Sequence, residues 1–178
     1  MLAFRRRSRF GTAVVLAAAS LAASGCFSAS DDTSRFPEPP AGAARARVER
    51  VSDGDTVRLA GLGRVRLIGV DTPEVFGHVE CFGRAASAFA RRMLPPGTAV
   101  VYQPGVEARD RYGRLLAYLW LADGRMFNAM LVERGYATPL TIPPNVEYAE
   151  LFVRAARRAR EAARGLWSPG ACNGRNAR

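Results

Sequence analysis

The stretch from Ala46 to Pro73 limits the fold more than any other part of the chain. Arg47-Val48-Glu49-Arg50-Val51 alternates polar and apolar residues, and Thr56-Val57-Arg58-Leu59-Ala60 alternates again after an Asp53-Gly54 turn. Gly61-Leu62-Gly63 then reverses the chain into a third run, Arg64 to Val70. A period of two with glycine turns between the runs predicts three antiparallel strands in a meander. Pro73 ends the third run, because proline has no N–H for a ladder.

The remaining elements follow from periodicity. Phe82, Ala85, Ala86, Phe89 and Met93 recur at three- and four-residue intervals and predict a helix that stops at Pro95-Pro96-Gly97. Thr98–Gln103 and Arg114–Leu121 read as two more strands. Phe127, Met130 and Leu131 mark a short helix ended by Gly135. A last helix, from about Val146 to Gly165, turns Leu151, Phe152, Ala155, Ala159 and Ala162 inward. Five strands with a helix after the third and two helices later predict an α+β protein, a five-stranded OB-fold barrel flanked by three helices.

Before this domain the chain carries an address. Arg5, Arg6, Arg7 and Arg9 precede an apolar stretch from Phe10 to Ala23, and Ala23-Ser24-Gly25 leads into Cys26. A basic start, a short apolar core and small residues predict a signal peptide over residues 1–25. The cysteine at its end resembles a bacterial lipobox and predicts lipidation at Cys26, hence an exported protein held at the membrane by a lipid anchor, the alternative being ordinary cleavage and secretion with Cys26 incidental. Residues 26–44, rich in Ser, Asp, Pro and Ala, predict a flexible tether to a domain over 45–168. The formal net charge is +10, all 26 basic residues being arginine, and removal of residues 1–25 takes away four arginines and no acid, leaving +6. Where the remaining arginines stand therefore matters more than their number.

Two cysteines remain, Cys81 and Cys172, and in an exported chain they predict a disulfide pinning the tail, residues 169–178, to the start of the first helix. The single histidine, His78, lies in a Gly-flanked run that reads as an exposed loop, so chemistry built on paired histidines or a Ser-His-Asp triad is excluded.

Carboxylates gather at two turns, Asp53 and Asp55 at the first, Asp71 and Glu74 at the end of the third strand. If the meander brings these turns together, their repulsion calls for a cation, and oxygen ligands without His or Cys favour calcium or magnesium. Arg66 leads into Asp71, and Arg114 follows Asp110-Arg111-Tyr112-Gly113. Phosphodiester hydrolysis gathers negative charge on phosphate oxygens, which a metal and two guanidinium forks stabilise while a carboxylate handles the water.

With those residues in view, the sequence resembles the thermonuclease (staphylococcal nuclease) family from about Arg45 to Trp167. The resemblance rests on Asp-Gly-Asp-Thr-Val at 53–57, Arg-Leu-Ile-Gly-Val-Asp-Thr-Pro-Glu at 66–74, Asp-Arg-Tyr-Gly-Arg at 110–114, Glu80–Phe89, and the closing Gly165-Leu166-Trp167. It implies Ca²⁺ bound by the carboxylates of Asp55 and Asp71 and the carbonyl of Thr72. It implies Glu74 as general base or water positioner, Arg66 and Arg114 as phosphate ligands, and Arg111 and Tyr112 as contacts to a terminal phosphate. The implied reaction is cleavage of DNA and RNA at the 5′-oxygen side, leaving 3′-phosphates. The segment after Gly135, Ala-Thr-Pro-Leu-Thr-Ile-Pro-Pro-Asn, lacks the tyrosines that stack on the base in the family. The competing expectation is a catalytically silent OB-fold module binding nucleic acid or protein; retention of all five acids and arginines favours the enzyme. A monomer is expected.

Overall fold

In the computed structural model the described residues are Met1 and 36–173; the signal peptide, Cys26, the first part of the tether and the last five residues of the tail lie outside them. The strand-forming runs become β1 (Ala44–Val51), β2 (Thr56–Leu59) and β3 (Gly63–Leu67), joined as the alternation requires. Val48 pairs with Leu59 and Val57 with Val65, so the apolar members of each strand share one face and are buried together. β5 (Ala99–Arg109) and β6 (Leu115–Leu121) complete a closed barrel in the order β1-β2-β3-β6-β5. The seam between β3 and β6 is parallel, with Val65 opposite Leu115 and Leu67 opposite Ala117. Three helices, α1 (Gly83–Met93), α2 (Phe127–Glu133) and α3 (Ala149–Glu161), flank the barrel, as the OB-fold expectation has it.

The third run differs from the single strand expected. It divides at Ile68, and Gly69–Asp71 becomes β4, which leaves the barrel to pair with β7 (Thr138–Leu140). Gly69 makes the break possible: its φ is +78°, and a Cβ there would run into the Phe152 ring of α3. The split strands backbone groups in the interior, and Asn128 of α2 satisfies them. Fully buried, it accepts from the N–H of Leu119 at 2.9 Å and donates to the carbonyl of Ile68 at 2.9 Å. Ile68 N–H meanwhile donates to Ala117 O at 3.0 Å. α3 is shorter than its pattern implied; Ala162 is exposed, and Gly165–Trp167 forms a separate 3-10 turn.

Two links brace the ends of the domain. Phe36 packs against the core and Trp120 Nε1 donates to Pro37 O at 2.8 Å, so residues assigned by composition to the tether are laid against the barrel. Cys81 and Cys172 form the expected disulfide, with a Cα–Cα distance of 5.9 Å and a sequence separation of 91. Closing so long a loop stabilises by about 4–5 kcal/mol in the chain-entropy model. No helix among the described residues is long and apolar enough to cross a membrane.

Replacing Asn128 with Leu leaves at least two buried backbone groups without partners. The expected loss of unfolding free energy is about 2–4 kcal/mol, measured by urea denaturation with the m-value unchanged.

Candidate functional site

The β1–β2 turn is built to present Asp55. Asp53 Oδ1 accepts from the N–H groups of Asp55 (3.1 Å) and Thr56 (2.7 Å), locking the turn from inside. Gly54 lets it press on the second acidic turn, because a Cβ there would stand 2.6 Å from the Thr72 methyl. Thr72 closes the contact, its N–H and its hydroxyl both donating to Asp55 Oδ2 at 2.8 Å. Two turns 17 residues apart in sequence thus share one buried carboxylate.

Arg66 joins the same cluster from β3. Its Nε lies 3.1 Å from Asp55 Oδ1, and its Nη2 donates to Asp71 Oδ1 at 3.0 Å. Its Nη1 donates to the carbonyls of Leu67 and Val70, each at 2.7 Å, across the break between β3 and β4. The side chain is only 14% exposed. The guanidinium therefore serves as counter-charge to both aspartates and as a clasp over the chain bend.

Arg114 is held differently. Its Nε donates to Asp110 Oδ2 at 2.7 Å, and Asp110 Oδ1 accepts from the N–H groups of Arg114 and Tyr112. Burial by itself would push the Asp110 carboxyl up; the Arg114 guanidinium and the two backbone N–H groups outweigh it and hold the carboxyl below the usual range. Glu74 is exposed, with Oε1 accepting from the N–H groups of Val75 (2.8 Å) and Phe76 (2.9 Å), while its own N–H donates to Glu80 Oε2.

The structure brings Asp55, Asp71, Thr72, Glu74, Arg66 and Arg114 to the walls of one cleft of about 110 Å³. Asp53, Thr56 and Pro73 complete it. Arg111 and Tyr112 are placed elsewhere, on the rim of an adjoining pocket of about 500 Å³ that shares Arg66 and Arg114 with the cleft. There the Arg111 guanidinium sits 4.8 Å from the centre of the Tyr112 ring and donates to its hydroxyl. Val70, Leu116, Leu140 and Ile142 give this pocket apolar walls where tyrosines were absent from the sequence. His78 is exposed, as its loop implied.

Asp53 is the wall residue that the motif reading gave no role of its own. Burial first, and the neighbouring Asp55 charge second, raise its carboxyl to about 6 against the pull of the N–H groups it accepts. Burial is the larger cause of that shift, and the neighbouring carboxylate adds to it. Asp53, Asp55, Asp71 and Glu74 line the cleft against two arginines, one of them already engaged by Asp110. The donor set is all oxygen and suits a hard divalent cation. No three His, Cys, Asp or Glu side chains among the described residues form a group able to hold a metal by themselves.

Comparison with known proteins gives concordant matches. The family described as Staphylococcal nuclease homologue matches residues 64–169. The thermonuclease of Staphylococcus intermedius is 41% identical over 126 residues, covering 67% of this chain and 74% of that protein. The thermonuclease of Staphylococcus hyicus is 38% identical over 68% of this chain and 75% of its own length. Endonuclease YhcR of Bacillus subtilis is 34% identical over 148 residues, which are 74% of this chain and 12% of that much longer protein.

The Asp110–Arg114 pair predicts an acid-dependent contribution to stability. With the folded carboxyl below its unfolded value, the contribution is complete above about pH 4 and disappears as pH falls through the lowered folded value. The gap in unfolding free energy between the wild type and Asp110→Asn is expected to narrow between pH 5 and pH 2 by no more than about 1 kcal/mol, followed by denaturation at each pH.

Proposed function

Because the chain belongs to the staphylococcal nuclease family, we propose that it is an exported, calcium-dependent phosphodiesterase that hydrolyses DNA and RNA at the 5′-oxygen side and leaves 3′-phosphates. The observation that carries this reading is the single cleft in which four carboxylates face two arginines. Asp55 and Asp71, with the carbonyl of Thr72, are the residues to hold Ca²⁺. Bound there, the ion would supply positive charge to the phosphate oxygens and offset the carboxylate charge gathered in the cleft.

The chain's own residues supply the rest. Two backbone N–H groups fix Glu74 Oε1, which leaves Oε2 to orient the attacking water or take its proton. Asp110 holds Arg114 by Nε and leaves its Nη pair for a phosphate oxygen. Arg66, braced by two carbonyls and two carboxylates, offers the second guanidinium without having to reorganise. Arg111 and Tyr112 on the neighbouring rim are placed to receive a terminal phosphate, and the apolar pocket beside them the attached nucleoside. The basic start, apolar core and Cys26 support export and lipid anchoring at the membrane surface.

Hydrolysis of single-stranded DNA and RNA in Ca²⁺ and in EDTA tests the proposal. Activity is expected only with Ca²⁺; Glu74→Gln is expected to lower kcat about 10²–10⁴-fold, and Arg114→Ala about 10²–10³-fold. Full activity in EDTA, or unchanged rates in both variants, rejects the mechanism. Binding of single strands without turnover identifies a silent module instead.

A further inference from the structure

Strand register lines up arginines that are scattered in sequence. Arg50 of β1 is paired with Arg58 of β2, and Arg58 with Arg64 of β3. Paired residues project to the same side of a sheet. Their neighbours Val57, Leu59 and Val65 fill the barrel, so this row stands on its outer face. The row reaches further still. β3 and β6 run parallel with Val65 opposite Leu115, which sets Arg114 abreast of Arg64. Three arginines thus lead across three strands to a fourth that lines the cleft.

Like charges placed directly opposite one another destabilise a sheet. Here the only described counter-charge is Glu49, which pairs with Arg58 at 2.7 Å where both side chains are 43% exposed. Arg50 and Arg64 are exposed, and no described carboxylate pairs with either. An anion of repeating charge relieves that repulsion, and guanidinium forks suit phosphate oxygens. The 500 Å³ pocket opens over β3 and β6, on the other side of Arg66 from β2 and β1. A polymer fixed at the cleft can therefore leave it in two directions, one of them lined with three arginines that share a single described carboxylate.

We propose that Arg50, Arg58 and Arg64 form a binding track for the sugar–phosphate backbone of a single-stranded polynucleotide, carrying the part of the substrate that extends from the cleft over β2 and β1. The proposal rests on the phosphodiesterase reading of the cleft and adds to it that the substrate is a polymer gripped beyond the scissile bond. A track of this kind acts through phosphate charge and reads no base.

The test compares two substrates in the full-length protein, a single-stranded DNA oligonucleotide long enough to cross the row and a dinucleotide that fills only the cleft. In the triple variant Arg50→Gln, Arg58→Gln, Arg64→Gln, KM for the oligonucleotide is expected to rise about 10-fold or more, and the slope of log(kcat/KM) against log[salt] to flatten by about 2, near 0.7 per phosphate contact. The dinucleotide's kcat/KM is expected to stay the same, and a triple Lys variant to restore most of the oligonucleotide affinity. Unchanged oligonucleotide kinetics, or equal losses on both substrates, overturns the track. So does loss of binding to phosphatidylglycerol vesicles with oligonucleotide kinetics intact, which assigns the row to a lipid surface. If the wild type hydrolyses neither substrate, the reading of the cleft fails, and anisotropy of a labelled oligonucleotide in EDTA judges the row alone. Weaker binding by the Gln variant then supports it, and equal binding overturns it.

Discussion

One side chain, Arg66, ties the architecture to the chemistry. Its guanidinium meets Asp55 from the first acidic turn, Asp71 from the second, and the carbonyls on both sides of the bend that separates β3 from β4. Each partner needs it for a different reason. The aspartates need a counter-charge, Asp55 being almost wholly buried, and the carbonyls are left over when the strand leaves its ladder. A lysine could satisfy the charges but not the divergent directions of four acceptors. The consequence is that recognition and folding are not separable at this position. A substitution at Arg66 removes one of the two arginines of the cleft and also takes from Asp55 and Asp71 the counter-charge they share.

Much of this was legible in the sequence, because the deciding signals are local. Alternation from Arg47 to Leu59 marks which side chains fill the barrel, and the Asp-Gly and Asp-Thr-Pro turns mark where carboxylates collect. Cys81 and Cys172 needed only the inference of an exporting signal to be paired. The break at Ile68 was hidden, since Arg64 to Val70 looks like one continuous β-rich run. Its causes lie far away in sequence, in the Phe152 ring that occupies the space beside Gly69 and the Asn128 amide that takes up the stranded carbonyl. β7 was missed for the same reason: a three-residue strand containing Pro139 has no periodicity, and it pairs only because β4 is available.

At the site, residue identity was easier to read than residue neighbourhood. Asp55, Asp71, Thr72, Glu74, Arg66 and Arg114 all line the expected cleft, while Arg111 and Tyr112 line the adjoining pocket, where the Tyr112 ring lies against the Arg114 guanidinium. The special condition of Asp53 could not be read from its turn motif, which is satisfied by ordinary N–H donors. Only burial beside Asp55 sets it apart. The arginines show the same limit. Composition reports a positive chain, yet the row through Arg50, Arg58 and Arg64 exists only in the register of three strands.

The parallel seam between β3 and β6 also dictates when in the life of the chain the cleft can exist. Residues 63–67 cannot pair with β6 until α1 and β5 have been synthesised, so this seam is a non-local step of folding. Arg66 stands on one side of the seam and Arg114 at the start of the other. A chain made only as far as Gly113 therefore carries both acidic turns but just one of the two arginines that line the cleft. The full set of cleft side chains comes together only when the barrel closes.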